Sequence, residues 1–366
     1  MSTRVNEYIP SVVFHPGETL KDKLEELGMG PKEFALRSGK PEKTITAILK
    51  GESSITPEMA IQFEGVLKIP ANFWLTRQRS YDEYLARKER EKIIEEGIDW
   101  ALEFPYAEMA RKGWVVATRR REEKVEQLLS FFSFSKHTAW KKYFYKQQLK
   151  VSFRISLYNT KNPHALSAWI RQGELQASKI DAPSFDKKML LAQLPKIKAL
   201  MATHPDDFFQ QLQELCLLAG VKVIYTPCIK QAPISGATRW INEHPVVQMT
   251  GRYNQNDRFW FTFFHELGHI LLHGKKEIFL EDIEYSDYDK QKEKEADEFA
   301  IKWTFSEEEE KEVSKNEVLT ETDIVKYAAK FNTHPAIIIG RLQKKEIIPY
   351  SQGRQFFIKL NFDNSN

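Results

Sequence analysis

The segment His265-Glu266-Leu267-Gly268-His269 places two histidines and a glutamate at a spacing that suits metal binding. It lies inside residues 259–272, whose apolar periodicity predicts a helix. Residues i and i+4 of a helix lie one above the other, so His265 and His269 can share one ion, usually Zn²⁺. Glu266 flanks the same site and can act as general base on a metal-bound water. The motif predicts the site of a zinc hydrolase.

A second helical segment, residues 293–300, offers a third ligand. One face of it carries two acids and two small residues: Glu293, Asp297, Ala296 and Ala300. Glu295 lies about 200° away from Glu293 on the wheel, on the charged outer side. We therefore predict Glu293 as the third ligand, and Asp297 as the acceptor of a hydrogen bond from a ligating histidine.

Two further residues of the first helix bear on this site. Gly268 lies in mid-helix, where it costs up to about 1 kcal/mol relative to alanine, so we expect the second helix to pack very close to it. His273, one turn beyond His269, is expected at the rim of the site or hydrogen-bonded to a ligand. Three protein ligands would leave one position for water, the catalytic arrangement. The alternative is a helix whose two histidines are simply partly buried.

The stretch Phe261–His273, followed by the pattern E-x-x-A-D-x-F-A at 293–300, resembles the ImmA/IrrE family of zinc metallo-endopeptidases. The resemblance covers about 220–345. It implies that His265, His269 and Glu293 hold Zn²⁺ and that Glu266 deprotonates the attacking water. These enzymes typically act on, or together with, transcriptional repressors. Residues 301–305 depart from the Leu-Leu-Met-Pro-like segment usual in the family, which leaves the substrate class open.

Other parts of this domain are less sharply defined by the sequence. Strands are expected at 221–225, 237–241 and 246–250, and the last of these could pair with an extended substrate. A group that stabilises the oxyanion is also required. The residues considered for this role are Arg252, Tyr253, Tyr285 and Arg341.

Residues 1–75 predict a small helical domain, with Pro at helix starts and Gly at helix ends. The turn Ser38-Gly39-Lys40 predicts a helix-turn-helix with residues 42–50 as the recognition helix. Residues 77–96 alternate in charge and suggest an exposed connecting helix.

The motifs His15-Pro16-Gly17-Glu18, Ser54–Ala60 and Phe73-Trp74-Leu75 resemble the HigA family of antitoxin repressors across roughly residues 12–85. The resemblance implies a homodimer that binds operator DNA and neutralises a HigB-type RNase toxin. The residues expected to meet DNA are Lys40, Lys43, Thr44, Thr46 and Lys50.

Two departures from the HigA pattern lie where phosphates would bind: Gly30-Pro31 and Pro41-Glu42. Proline lacks the N–H that could bind a phosphate, and Glu42 brings negative charge near DNA. The alternative is a helical protein-interaction module that does not bind DNA.

Composition bounds the remaining possibilities. The 366 residues carry a net charge of +3, so a basic surface would have to be local. Two cysteines, and the absence of a signal peptide or an apolar run of about 18 residues, predict a cytoplasmic protein without membrane spans. Residues 111–150 mix basic and aromatic residues, which fits either a stacking surface for nucleic acid or amphipathic helices with solvated basic faces.

The predicted architecture is mostly α with a small β-sheet (α+β). It consists of an antitoxin-like helix-turn-helix domain at 1–85, a helical middle region at 86–215 and a zincin-like (gluzincin-type) domain at 216–366. Two functions follow: a DNA-binding regulator that carries a zinc endopeptidase, or a non-catalytic regulator whose zinc site serves as a sensor or a toxin-binding platform.

Overall fold

The computed structural model describes residues 12–143, 162–230, 232–274, 279–280, 287–316, 319–360 and 362. The chain divides into two compact units, Met1–Glu96 and Gly97–Asn366. The first is helical and the second combines helices with a small sheet, which confirms the predicted α+β class. No helix in the described ranges is long and apolar enough to cross a membrane.

The first unit contains five helices in the part that the structure describes: α1 (Pro16–Glu26), α2 (Pro31–Ser38), α3 (Glu42–Leu49), α4 (Pro57–Leu67) and α5 (Ala71–Glu96). Its core is built around Phe34, Phe63 and Trp74, whose rings meet edge to face at centroid distances of 4.9 and 6.0 Å. Thr56 caps α4 by accepting a hydrogen bond from the Met59 N–H.

The fifth helix differs from expectation. The connecting helix predicted at 77–96 is not a separate element, because it belongs to the single 26-residue helix α5. The sequence of α5 contains no glycine or proline, so nothing interrupts the i to i−4 hydrogen bonds.

In the part of the chain that the structure describes, the helices that precede the sheet in the second unit are mostly short. They are α6 (Ile98–Leu102), α7 (Tyr106–Arg111), α8 (Arg121–Phe132), α9 (His137–Lys142), α10 (Pro163–Ala177), α11 (Lys187–Thr203) and α12 (Phe208–Leu217). Of the aromatic residues of 111–143, Phe131, Phe132 and Trp140 are buried, whereas Trp114, Phe134 and Tyr143 are half-buried. The buried ones form core, as the amphipathic interpretation predicts. Residues 144–150 of the same stretch lie outside the described residues.

Within the described residues, the sheet has four strands in the order β1-β3-β2-β4. They are β1 (Lys222–Tyr225), β2 (Gly236–Ile241), β3 (His244–Met249) and the two-residue β4 (Phe279–Leu280). Strand β3 runs parallel to β1 and antiparallel to β2. The β2–β3 turn is tighter than the predicted loop at 242–245: Asn242 and Glu243 alone form it, with φ of 48° and 70°, as a two-residue hairpin requires.

Strand β3 is an inner strand, and the expectation that 246–250 could receive a substrate strand is wrong. Val246–Met249 pairs with β1 on one side and with β2 on the other. Its backbone hydrogen-bonding groups are therefore already used within the sheet.

The remaining helices of the described residues include the two that carry the candidate site, and the first of them packs on β2 and β3. They are α13 (Asn256–His273), α14 (Asp287–Thr304), α15 (Glu307–Val313), α16 (Glu321–Phe331) and α17 (Pro335–Lys344), followed by a 3₁₀ turn at Arg354–Phe356. Helix α13 is the centre of the core: Trp260, Phe263, Phe264 and Leu267 are all fully buried.

Candidate metal centre

The histidines and the glutamate of the first motif are buried on α13. His265 is 3%, Glu266 0% and His269 1% exposed. Apolar residues of the same helix anchor its other sides in the core, so these polar side chains cannot turn away to solvent. Burying polar side chains is costly unless each one has a partner within the protein. The burial of these three side chains together therefore indicates a common functional site.

Helix α14 brings Glu293 to the two histidines. Its Oε2 lies 3.2 Å from His265 Nε2 and its Oε1 lies 3.5 Å from His269 Nε2, while the two Nε2 atoms are 3.0 Å apart. These residues form a group whose ligand atoms all lie within 4.8 Å of one another. The structure thus brings together the three residues predicted as ligands.

A glycine allows this close approach of α13 and α14. A Cβ built on Gly268 would lie 3.1 Å from Ala296 Cα and 3.3 Å from Phe299 Cβ. Ala296 and Ala300 are fully buried on the facing side. The small residues therefore determine how closely the two helices approach each other. This separation in turn determines whether the Glu293 carboxylate can lie next to His265 and His269.

The spacing of the three side chains suits a tetrahedral ion. Zn–N and Zn–O bonds of about 2.0–2.1 Å in a tetrahedron place neighbouring ligand atoms roughly 3.3 Å apart. The two Nε2 atoms are 3.0 Å apart, and Glu293 approaches His265 with Oε2 at 3.2 Å and His269 with Oε1 at 3.5 Å. Glu293 Oε1 accepts no hydrogen bond from any donor in the described part of the chain. These residues therefore fit Zn²⁺ in number, type and spacing.

Both ligand candidates among the histidines have a polar neighbour at Nδ1. His265 Nδ1 lies 2.9 Å from Asp297 Oδ1. His269 Nδ1 lies 3.1 Å from His273 Nδ1, and His273 Nε2 lies 3.0 Å from Glu295 Oε2. Burial, reinforced by the neighbouring His265 and His273, holds the pKa of His269 well below its usual value. His269 is therefore neutral near pH 7, the form that can bind a metal.

Gly236 on β2 lies against Glu266, a contact that the sequence does not predict. A Cβ at Gly236 would lie 2.9 Å from Glu266 Oε1 and 2.8 Å from Thr262 Cγ2. Two residues along β2, Thr238 Oγ1 donates a hydrogen bond to the Glu266 carbonyl oxygen over 3.1 Å. The only signal in the sequence was a small residue at the start of a strand.

The candidates for oxyanion stabilisation fall in different places. Arg252 and Tyr253 line a shallow cleft together with Thr262, which lies one helical turn before Glu266. Arg341 instead pairs with Glu310. Tyr285 lies outside the described residues.

The second candidate surface is helix α3. Ile45 and Ile48 are fully buried and fix the helix to the core. Lys43 and Lys50 are exposed, and Thr44 is partly exposed.

Two of the predicted DNA contacts are engaged within the protein. Thr46 Oγ1 donates a hydrogen bond to the Glu42 carbonyl oxygen over 2.9 Å. Lys40 Nζ lies 2.8 Å from Glu58 Oε1, and its side chain is only 14% exposed. The structure therefore groups Lys43, Thr44 and Lys50 toward solvent and leaves Lys40 in an ion pair.

Comparison with known proteins gives two family matches. Residues 216–343 match the IrrE N-terminal-like domain of the peptidase M78 type. Residues 20–74 match the helix-turn-helix family.

Individual relatives cover the first of the two units. The uncharacterized HTH-type transcriptional regulator YddM of Escherichia coli (strain K12) is 32% identical over 66 residues, which is 18% of this chain and 70% of that protein. An addiction module antidote protein of the HigA family from Coxiella burnetii is 36% identical, covering 23% of this chain and 91% of that one, with a TM-score of 0.22. The Pseudomonas aeruginosa antitoxin HigA, solved with the higBA promoter, is 29% identical over 23% of this chain and 94% of that one, with a TM-score of 0.22. The chain thus belongs to the helix-turn-helix transcriptional regulators and carries, in its C-terminal half, an IrrE N-terminal-like domain of the peptidase M78 type.

Proposed function

We propose that this chain is a DNA-binding regulator of the HigA antitoxin type whose C-terminal domain is a zinc-dependent endopeptidase. One observation carries the peptidase part: two buried imidazoles and one carboxylate converge at 3.0–3.5 Å beside a fully buried Glu266. Three protein ligands of these types leave a position for water, which is typical of catalytic rather than structural zinc sites.

Each residue of the site has a defined part in this proposal. His265, His269 and Glu293 hold the ion, which when bound polarises a peptide carbonyl and lowers the pKa of water. Glu266, adjacent to a ligand and enclosed by β2, accepts the proton from the attacking water and passes it to the leaving amine. Asp297 orients His265 by accepting its Nδ1–H. Arg252 and Tyr253, which line the cleft beside Thr262, remain the candidates for oxyanion stabilisation.

Helix α3 supports binding to operator DNA. Lys43 and Lys50 project from an exposed face of a helix that follows a tight turn, and this segment matches the helix-turn-helix family. Lysines placed in this way contact phosphates and supply affinity that falls with salt. Antitoxins with this domain suggest the further partners: a second copy of the chain, and an RNase toxin of the HigB type.

Zinc analysis and one isosteric variant test the peptidase. Purified protein should contain one Zn²⁺ per chain, and His269→Ala should lose it. Glu266→Gln should keep the zinc but should no longer cleave the protein encoded by the adjacent gene. Mass spectrometry measures this cleavage. If the wild-type protein holds no zinc even after supplementation with ZnCl₂, the proposal is overturned.

The same variants separate the peptidase from a non-catalytic regulator. If wild-type protein holds zinc, binds DNA and cleaves nothing, and Glu266→Gln behaves identically, the C-terminal domain is a metal-stabilised sensor or toxin-binding platform. Loss of cleavage in Glu266→Gln with unchanged zinc content and unchanged DNA binding supports the enzyme.

A further inference from the structure

The side chain of Glu295 is held in place although it is on the outer side of α14. Its carboxylate accepts a hydrogen bond from Gln291 Nε2 at Oε1 over 3.0 Å, and its Oε2 lies 3.0 Å from His273 Nε2. Both oxygens are therefore engaged, and a side chain that is 41% exposed has a fixed orientation. His273, in contrast, has a side chain that is only 4% exposed.

The direction of the hydrogen bonds follows from what a carboxylate can do. Glu295 can only accept, so His273 Nε2 carries the hydrogen. A neutral imidazole has one N–H, so His273 Nδ1 is then an acceptor and receives the Nδ1–H of His269 across 3.1 Å. The second nitrogen of His269, Nε2, then carries the lone pair rather than the hydrogen.

That lone pair points at the other candidate ligands. His269 Nε2 lies 3.0 Å from His265 Nε2 and 3.5 Å from Glu293 Oε1. Asp297 imposes the same tautomer on His265 from the other side, since it accepts at Nδ1. The lone pairs of three candidate ligands then face one another, which is the arrangement that binding of a cation requires.

We propose that Glu295 and His273 form a relay that fixes His269 as its Nδ1–H tautomer and so presents Nε2 for metal binding. The inference rests on the proposed zinc site and gives positioning roles to two residues that touch no substrate. Glu295 is thereby distinguished from Glu293: the first orients a ligand through His273, and the second is a ligand.

A matched pair of variants tests the relay. Glu295→Leu removes the acceptor. Glu298→Leu is the control, because it makes the same change three residues further along α14. Among the described ion pairs, Glu298 is paired with Lys294 only, at 3.8 Å. Loss of an outer hydrogen-bond partner typically weakens metal affinity by about 10–100-fold. Competition titration with a chelator should therefore show that loss for Glu295→Leu and no change for Glu298→Leu. Glu295→Gln, which keeps an oxygen acceptor, should fall between them.

A double-mutant cycle and a spectroscopic readout complete the test. If the two residues act in series, His273→Phe and His273→Phe/Glu295→Leu should weaken zinc binding equally. In the zinc-free protein, ¹⁵N NMR of His269 should report a protonated Nδ1, and Glu295→Leu should shift it toward the Nε2–H form.

The outcomes separate this inference from the proposed function. Equal zinc affinity in Glu295→Leu and Glu298→Leu, or additive effects in the cycle, would overturn the relay while leaving a wild-type zinc site intact. A wild-type protein that binds no zinc would overturn the proposed function. In that case the tautomer of His269 in the metal-free protein still tests the relay, and an Nε2–H form there would overturn it too.

Discussion

Glu266 depends on a residue that has no side chain. Gly236 on β2 faces its carboxylate, and a methyl group there would lie 2.9 Å from Glu266 Oε1 and 2.8 Å from Thr262 Cγ2. Gly236→Ala should therefore displace the carboxylate and reduce peptide cleavage by at least about tenfold, because a displacement of about 1 Å in a catalytic group can cost 100-fold. Zinc content should stay at the wild-type level, since the atoms nearest to the added methyl group belong to Thr262 and Glu266 rather than to the three ligands.

A second glycine provides the control for this change. Gly65 lies within α4, and a Cβ built on it meets nothing within 4 Å. Gly65→Ala should leave cleavage unchanged and stabilise the protein by up to about 1 kcal/mol through helix propensity. If Gly236→Ala cleaves as well as Gly65→Ala does, the carboxylate of Glu266 is not positioned by β2.

At the scale of elements, the contact between α13 and α14 controls the metal centre. Gly268→Ala should push α14 away by a few tenths of an ångström, because the added Cβ would lie 3.1 Å from the Ala296 backbone. The gain in helix propensity of about 1 kcal/mol opposes an overpacking cost of about 1–3 kcal/mol. We expect a small loss of stability and a zinc affinity at least about tenfold weaker, measured by chelator competition. Unchanged affinity would mean that Glu293 reaches the histidines without this close approach.

Helix α3 is the second element whose exposed face can be tested. Lys43→Ala and Lys50→Ala should each weaken binding to DNA from upstream of the gene, and each should reduce the slope of log K against log salt by about 1. Lys40→Ala should change binding less, since Lys40 already pairs with Glu58 at 2.8 Å. A mobility-shift series between 50 and 200 mM salt measures all three. Equal losses for the three variants would show that the Lys40–Glu58 pair opens on DNA.

At the scale of the whole molecule, the sequence could predict the features that depend on the periodicity of helices. The spacing of residues 259–272 placed His265 and His269 on one side of a helix, and the wheel of 293–300 separated Glu293 from Glu295. Contacts between distant segments have no such period. Neither the position of Gly236 against Glu266 nor the inner place of β3 in the sheet can be read from local pattern, because both depend on which strands pair.

The stability of the fold should also depend on pH, because two histidines are neutral in the folded state. His204 is 8% exposed, its Nδ1 accepts the Trp260 indole N–H over 2.9 Å, and burial lowers its pKa to about 4. His164, stacked on Trp140 with ring centroids 4.7 Å apart, is held at a pKa of about 4 mainly by burial as well. In the unfolded chain both would titrate near 6.5.

The sign of the effect follows from proton binding. Between pH 6.5 and 4 the unfolded state binds more protons than the folded state, so stability is complete above pH 6.5 and is lost as the pH falls. Each histidine should contribute up to about 3 kcal/mol to that loss. His164→Phe keeps a ring against Trp140 and removes the titrating group. Urea unfolding at pH 7 and pH 4.5 should therefore show a smaller difference in unfolding free energy for His164→Phe than for wild type, and an equal difference would show that His164 is not neutral in the fold.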